Sequence, residues 1–347
     1  MVKKRFIDLA VHGGCSKKLG APQLRTLLSK LQPPNKSENT TFFDSWLDFG
    51  RYDFGEDVLV SNVDIILPMV LSPMDFGEIA VAHVLSDIYA SGATPIFVLN
   101  IVGVSRELDS ESSDLLDMLK AANEKLRHEN IALVGGHTVT EQEDFYYGLA
   151  AVGIIKKVDL VTNEKATPGN ILVLTKPLGT SVASISWKDN VELRDEFEDV
   201  LRGMKQLNKV AAQEMITHGA TACTDITGFG LLGHMHNLLR ASNVSAVIDV
   251  NKLPIYESVL PFIQKTHVTS LWGKNFEYVK DYFDLKVNFS PLLENILFDA
   301  QVSGGLLVSL PEAKVDNFIN ALKDEGITAS VIGEIKSGDI GKIEILG

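Results

Sequence analysis

The pattern of apolar and polar positions predicts regular secondary structure from residue 57 onward. The run DVLVSNVDIILPMVL is rich in Val, Ile and Leu and predicts a strand. The next stretch, DFGEIAVAHVLSDIYASG, places its apolar residues at helical spacing. We expect Asp75 and Glu78 to form a capping box at the start of this helix, and Gly92 to end it.

Strands and helices continue to the end of the chain. Strands are predicted for PIFVLNIVGV, IALVGG, FYYGLAAVGII, ILVLT, ATACTD, VSAVIDV, GLLVSLP and ITASVIGEI. Helices are predicted for SESSDLLDMLKAANEKLRHEN, for residues 196–218, for FGLLGHMHNLLRASN, and near Leu292 and Ala313. This alternation predicts an α/β or α+β fold. The turn-rich TNEKATPGN separates domains at residues 41–163 and 164–347.

Residues 1–40 do not form one regular element. An apolar run at residues 6–11 leads into HGGCSKKLGAP, then a helix predicted over residues 22–31 and the polar PPNKSENT. Because Gly, Ser, Pro and Lys interrupt this segment, we expect a mobile N-terminal arm.

Composition and charge narrow the possible functions. The 347 residues include 32 Lys and Arg against 45 Asp and Glu, for a net charge of −13. This balance argues against nucleic-acid binding, which needs clustered cations, but permits a phosphorylated small molecule. No apolar run approaches the ~20 residues of a membrane span, and the N-terminus lacks the apolar run of a signal peptide. With two cysteines, Cys15 and Cys223, we expect a cytoplasmic setting without a disulfide framework.

Three groups of residues offer chemistry. In HGGCSKK, the thiol of Cys15 lies beside Lys17 and Lys18, whose charge favours the thiolate; the alternative is a flexible basic terminus with an incidental cysteine. Asp225 ends a predicted strand before the glycine turn of TGFG and a helix, an arrangement typical of phosphate sites. In VGGHT, the backbone N–H groups of Gly135 and Gly136 could meet phosphate or ribose oxygens, with a tight turn as the alternative.

Other polar residues have either a functional or a structural interpretation. Asp64 and Asp87 are candidate Mg²⁺ or nucleotide ligands, and helix caps or solvated charges are the alternatives. His83 is expected to be a packed residue outside the site. The chain has no Walker A and no GxGxxG motif, so the common nucleotide folds are not supported.

Six segments that span nearly the whole chain carry a family resemblance. In order they are HGGCSKK, SPMDFGEIAVAHVLSDIYASGATP, ALVGGHT, LTKPLGTSV, TDITGFGLLGH and DAQVSGGLLVS. They resemble selenophosphate synthetase, also called selenide, water dikinase. The resemblance implies a PurM-like fold, similar to aminoimidazole ribonucleotide synthetase: an N-terminal α/β domain whose strands join a partner's in a dimeric β-barrel, and a C-terminal α+β domain.

The resemblance also implies an activity. ATP, selenide and water would give selenophosphate, AMP and phosphate in a Mg²⁺-dependent homodimer, supplying selenium for selenocysteine and selenium-modified tRNA. Cys15 matches the family's essential cysteine or selenocysteine, and Lys18 its essential lysine, with Lys17 as the alternative. Asp87 and Asp225 match magnesium-binding aspartates.

The nucleotide contacts follow from the same resemblance. Asp64 matches an ATP-contacting aspartate, and Gly135, Gly136 and His137 match a glycine turn that reaches the partner subunit's ATP. The family's DDAAV-type segment corresponds here to a stretch that begins with Thr41, Phe42, Phe43 and Asp44. Asp44 alone remains of the acidic pair and is assigned as the third magnesium ligand, with the three preceding residues beside the nucleotide.

Two departures and two alternatives accompany this assignment. The DDAAV-type segment is altered, and the family's Gly-Thr-x-x-Asn turn appears as LWGKN, ending at Asn275. A sister PurM-like enzyme, such as thiamine monophosphate kinase, a hydrogenase-maturation dehydratase or aminoimidazole ribonucleotide synthetase, would have no evident need for the Cys15–Lys18 arm. A noncatalytic paralogue that binds nucleotide would explain the altered acidic segment but not the retained Cys15 and Lys18.

Overall fold

Two β-sheets with associated helices make up the computed structural model of the chain. It describes residues 5–10, 13–14, 27, 30, 47–106, 108, 112–141, 144–263, 269–286 and 290–347. The elements of the first half are β1 (Gly50–Phe54), β2 (Asp57–Ile66), α1 (Pro73–Ala90), β3 (Thr94–Ser105), α2 (Asp114–His128), β4 (Ala132–Glu141) and β5 (Tyr146–Lys156).

The N-terminal sheet has the strand order β1-β2-β5-β3-β4, and all neighbours are antiparallel except β3 and β4. Helices α1 and α2 pack together and cover one face of this sheet. The opposite face exposes apolar side chains. The register places Val63 of β2, Ala150 of β5 and Leu99 of β3 in one cross-strand row on that face.

The second half contains a seven-stranded sheet. Its elements are β6 (Asn170–Leu174), α3 (Thr180–Asp189), α4 (Glu198–Lys205), α5 (Lys209–Thr217), β7 (Ala222–Asp225), α6 (Gly230–Ser242), β8 (Ser245–Asp249), α7 (Leu260–Ile263), α8 (Trp272–Val279), β9 (Phe283–Leu285), α9 (Pro291–Phe298), β10 (Leu306–Pro311), α10 (Glu312–Asp324), β11 (Ser330–Lys336) and β12 (Ile343–Leu346). The strand order is β7-β10-β6-β11-β8-β12-β9, with β12 parallel to both neighbours.

Helix α1 joins the two halves, because it contacts β7, α4 and α5 as well as its own sheet. The buried side chain of Asn208, just before α5, donates to Ser86 Oγ of α1 at 3.0 Å and to Gly304 O at 2.9 Å. At the periphery, Lys209 Nζ lies 2.9 Å from Glu129 Oε2. The two sheets are therefore held together by buried polar contacts as well as by apolar packing.

The N-terminal segment, residues 5–14, is packed where the structure describes it. Phe6 is buried between Phe76 and Phe145, with ring centroids 5.5 and 5.4 Å away. Lys188 Nζ of α3 donates to Ala10 O at 2.6 Å. The first part of the predicted arm is therefore anchored against both halves of the chain.

Most predicted strands and helices are confirmed, and the exceptions have physical causes. The helix predicted over residues 196–218 is two helices, since Lys176 Nζ takes the Gln206 carbonyl at 2.6 Å and α4 ends at Lys205. The capping box was wrong: Ser72 caps α1 by accepting from Asp75 N at 3.3 Å. The sequence did not predict strands β1, β9 and β12 or helices α3, α7 and α8.

Candidate active site

A carboxylate–histidine cluster lies where the two halves meet. Asp225 ends β7, Asp48 lies two residues before β1, and His234 lies in the second turn of α6. One ligand atom from each of the three lies within 4.8 Å of the others. The hydroxyl of Thr224 donates to Asp48 Oδ2 at 2.6 Å, which ties the first half of the chain to β7. Two carboxylates at this separation are suited to a shared cation.

The turn between β7 and α6 orients His234. The Phe229 N–H donates to His234 Nε2 at 3.3 Å, and Thr227 Oγ1 lies 3.2 Å from the same nitrogen. The lone pair of His234 Nε2 therefore accepts a hydrogen bond within the turn. The cluster then offers a cation the carboxylate oxygens of Asp48 and Asp225. Asn275 of α8 donates to Gly228 O at 3.0 Å and fixes the turn from outside.

Asp87 lies on α1, the helix that also contacts β7. Asn62 Nδ2 of β2 donates to Asp87 Oδ2 at 2.9 Å and to Val84 O at 2.8 Å. These bonds fix one carboxylate oxygen of Asp87 and the helix against the strand. The cluster of Asp48 and Asp225 does not include Asp87.

Asp64 lies on the helix-covered face of β2, beside a buried histidine. His83 Nε2 is 3.4 Å from Asp64 Oδ2, and His83 Nδ1 accepts from Ser303 N at 3.1 Å. The expectation that His83 is packed is confirmed, since it is 1% exposed. Its contact with Asp64, however, brings it next to a predicted site residue.

Lys176 is a fully buried lysine in the motif LTKPLG. Its Nζ donates to Ser303 O at 2.9 Å and to Gln206 O at 2.6 Å. Burial lowers the pKa of Lys176 to about 7, Lys125 acts in the same direction, and Asp225 opposes them. The lysine is thus committed to backbone carbonyls rather than to solvent.

The glycine pair of the VGGHT motif is not the end of a strand. Gly135, Gly136 and His137 lie inside β4, which continues to Glu141 and is largely exposed. A side chain at Gly136 would place its Cβ 2.4 Å from Asn100 O, so glycine is required for the close approach of β4 to β3.

The residues around Cys15 are described only in part. Gly14 pairs with Leu67 through two backbone hydrogen bonds of 3.0 Å and has a φ of +62°, which favours glycine. A Cβ at Gly14 would lie 2.8 Å from Val302 Cγ2. The predicted site residues Cys15, Lys17, Lys18, Thr41, Phe42, Phe43 and Asp44 lie outside the described residues.

Cys223, two residues before Asp225 on β7, is a buried free cysteine. Burial raises the pKa of its thiol well above the ordinary value, and the charges of Asp225 and Asp48 act in the same direction. The thiolate is therefore strongly disfavoured, as expected for a packed cysteine.

Sequence comparisons identify the family. The family "AIR synthase related protein" matches with its N-terminal domain over residues 48–155 and its C-terminal domain over residues 167–345. A protein of Clostridioides difficile named "Selenide, water dikinase" is 34% identical over 336 residues, 96% of each chain. A protein of the same name from Carboxydothermus hydrogenoformans is 35% identical over 323 residues, 93% of this chain and 92% of that protein. The chain belongs to the selenide, water dikinase family.

Solved structures agree with this dikinase family on the fold. "AaThiL complexed with AMPPCP and TMP" matches with a TM-score of 0.70, 17% identity and coverage of 95% of this chain and 94% of that one. The "Hydrogenase Maturation Protein HypE in complex with ATP" matches with a TM-score of 0.64, 17% identity and coverage of 86% and 84%. The PurM-like two-domain α+β fold expected for the dikinase is thereby confirmed. Among the described residues, no helix has the length and apolar character to cross a bilayer.

Sequence reasoning about the dikinase site missed Asp48, Lys176 and the contact between His83 and Asp64. A sequence signal for Asp48 does exist. Asp48 lies just before β1, and β1 forms a hairpin with β2 through a turn at Phe54 to Asp57. Because β2 carries Asp64, an acidic residue just before this hairpin is a candidate for the same site. The altered LWGKN segment is not a turn: Trp272 begins α8, and Asn275 lies within that helix.

Proposed function

We propose that this protein is a selenophosphate synthetase, which converts ATP, selenide and water to selenophosphate, AMP and phosphate. The observation that carries the proposal is the match to selenide, water dikinases over 93 to 97% of the chain. The product would supply selenium for selenocysteine and selenium-modified tRNA. The few cysteines support a cytoplasmic setting for this chemistry.

Mg²⁺ is proposed as the cofactor. The donor set fits a hard cation, because Asp48 and Asp225 offer carboxylate oxygens within 4.8 Å of each other. We propose Asp87 as a further ligand and Asp48 in the role that the resemblance gave to Asp44. When bound, Mg²⁺ would neutralise charge on the transferring phosphoryl group.

The nucleotide is proposed to lie against Asp64 and Asp87, with Thr41, Phe42 and Phe43 beside it. Asn62 and His83 would then hold the two aspartates in place through the bonds described above. Phosphoryl transfer depends mainly on such positioning and on charge neutralisation.

Cys15 is proposed to hold or deliver selenium, and Lys18 to stabilise charge on the transferring phosphoryl group, with Lys17 as the alternative. Support comes from the position of Gly14, which is pinned to Leu67 and lies against Val302. Gly14, the residue before Cys15, is therefore fixed between the two halves of the chain. Of the arm predicted over residues 1–40, nearly all of the part after Gly14 lies outside the described residues.

A homodimer is proposed from the exposed face of the N-terminal sheet. Val63 and Val134 are 61% and 59% exposed in the single chain. Exposed apolar residues grouped on one sheet face are typical of a protein–protein interface. His137 pairs with Ile101, in the row of Ile65 on this exposed face, whereas Asp64 faces α1. Because His137 and Asp64 lie on opposite faces of one sheet, His137 could reach a nucleotide only in the partner subunit.

An anaerobic assay tests the proposed reaction. Purified protein is incubated with ATP, Mg²⁺ and selenide, and the phosphorus products are followed by NMR. Selenide-dependent formation of AMP and selenophosphate would support the proposal, and a Cys15→Ser variant should lose it. ATP binding without AMP would indicate a noncatalytic paralogue, and ADP as the final product with another acceptor would indicate a sister kinase.

A further inference from the structure

The turn at residues 301–305, between α9 and β10, contacts two parts of the site. The Gln301 N–H donates to Thr227 O at 2.9 Å, and Gly305 O accepts from Ile226 N, the residue after Asp225, at 2.9 Å. Val302 packs against Gly14. One short turn thus supports both the strand end that carries Asp225 and the residue before Cys15.

Ser303, at the centre of this turn, is held in an unfavourable state. Its φ of +52° is left-handed, which is uncommon for a residue with a Cβ. Its Oγ is buried and has no hydrogen-bond partner among the described residues. Both features cost stability, so the surrounding contacts must hold the turn in this conformation.

His83 and Lys176 supply those contacts. The Ser303 carbonyl accepts from Lys176 Nζ at 2.9 Å, and the Ser303 N–H donates to His83 Nδ1 at 3.1 Å. Because Nδ1 accepts a hydrogen bond, the neutral ring carries its proton on Nε2. That nitrogen lies 3.4 Å from Asp64 Oδ2.

We propose that His83 is a positioning residue that sets the Ser303 turn and Asp64 in register with each other. This inference rests on the proposed function and deepens it. Asp64 belongs to the nucleotide side of the site, and the turn supports Gly14 on the selenium side. The buried His83 ring would therefore fix the distance between the nucleotide and the selenium. A small displacement of reacting groups lowers the reaction rate strongly.

Two half-mimics of the histidine separate its contacts. Asparagine places an acceptor near the position of Nδ1, and glutamine places a donor near the position of Nε2. His83→Asn should keep the Ser303 contact and lose Asp64, so KM for ATP rises by about tenfold while kcat changes little. His83→Gln should keep Asp64 and lose Ser303, so kcat with selenide falls by about tenfold at an unchanged KM for ATP.

The control is His236→Asn. His236 is equally buried and bonds Gly341 O at 2.9 Å in another part of the second half. The His236→Asn variant should have a lower melting temperature but unchanged kcat and KM for ATP. If both His83 variants behaved like this control, His83 would be a structural residue only and the proposal would be overturned.

Amide hydrogen exchange of the 299–306 peptide provides a readout that does not depend on selenide. Exchange should accelerate in His83→Gln and stay at the wild-type rate in His83→Asn. Equal exchange in the two variants would overturn the proposal. If the wild type formed no selenophosphate, the proposed function would fail, whereas exchange and calorimetric ATP affinity would still test His83.

Discussion

Asp48 is the residue that changes the description of the site most. Its carboxylate is bonded by Thr224 and clusters with Asp225 and His234. We expect Asp48→Asn to lower AMP formation by at least about 100-fold, the upper end of the loss seen when a metal's supporting contacts are removed. The Mg²⁺ concentration for half-maximal activity should rise as well, measured by magnesium titration of turnover.

Asp44→Asn is the matched comparison for Asp48. If Asp44→Asn abolished activity while Asp48→Asn left it intact, the reassignment of the third magnesium ligand would be wrong. The sequence led to Asp44 because only that acid remained near the expected motif. Asp48 meets Thr224 across 176 positions of the chain, and such a contact follows from tertiary packing rather than local pattern.

The sequence identified residues whose role is indicated by the residues next to them in the chain. Asp225 followed from a strand, a glycine turn and a helix in order, and the structure has β7, the turn and α6 there. The role of His83 could not be predicted, because its two partners, Asp64 and Ser303, lie on different elements.

At the scale of elements, the described part of the N-terminal segment is packed against the rest of the chain. Its 3-10 helix, Phe6–Leu9, buries three apolar side chains, and the Phe145 N–H donates to Leu9 O at 2.9 Å. Removing a buried phenylalanine ring costs ~3–5 kcal/mol where the surroundings cannot collapse. A short terminal segment can instead detach, so the loss should appear locally.

We therefore expect Phe6→Ala to release residues 5–14 and lower turnover while changing the melting temperature of the remaining chain little. Hydrogen exchange of the N-terminal peptide measures the release. Wild-type exchange with wild-type turnover would contradict the role of this segment in locating Cys15.

Helix boundaries set the limit of sequence prediction at this scale. The sequence of residues 196–218 has a continuous helical pattern. However, Lys176 donates a hydrogen bond to the Gln206 carbonyl, and Asn208 donates one to Ser86 of α1. These tertiary bonds compete with the helix and end it. Long strands such as β2, whose apolar content is high over ten residues, were predicted because no distant contact is needed to specify them.

At the scale of the whole molecule, the proposed dimer would form through the exposed face of the N-terminal sheet. Val63→Asp places a charge in the centre of that face, where a partner sheet would have to bury it, and burying an unpaired charge is costly. We expect the variant to sediment as a monomer in analytical ultracentrifugation. Val158→Asp, on the exposed turn after β5, is the control and should leave the oligomer unchanged. A wild-type monomer at micromolar concentration would contradict the dimer.

Stability should depend on pH through Asp299. Burial raises the pKa of Asp299 to about 7 from 3.8, although the Thr269 hydroxyl bond acts against the rise. The folded state therefore binds the extra proton between these values, and this contribution is greatest below about pH 4 and lost as the pH rises to 7. Asp299→Asn should flatten that decline in urea unfolding measured from pH 4 to 7. Asp316→Asn, on the exposed side of α10, should leave the decline as it is.

The burial of Cys223 has a practical consequence for chemical labelling. With only two cysteines in the chain, and one of them shut away from reagents as a neutral thiol, alkylation under native conditions can report on Cys15 alone. A single mass-spectrometric measurement of labelling rate, with and without ATP, would then follow the protection of the thiol proposed to handle selenium, with no cysteine removed by mutation.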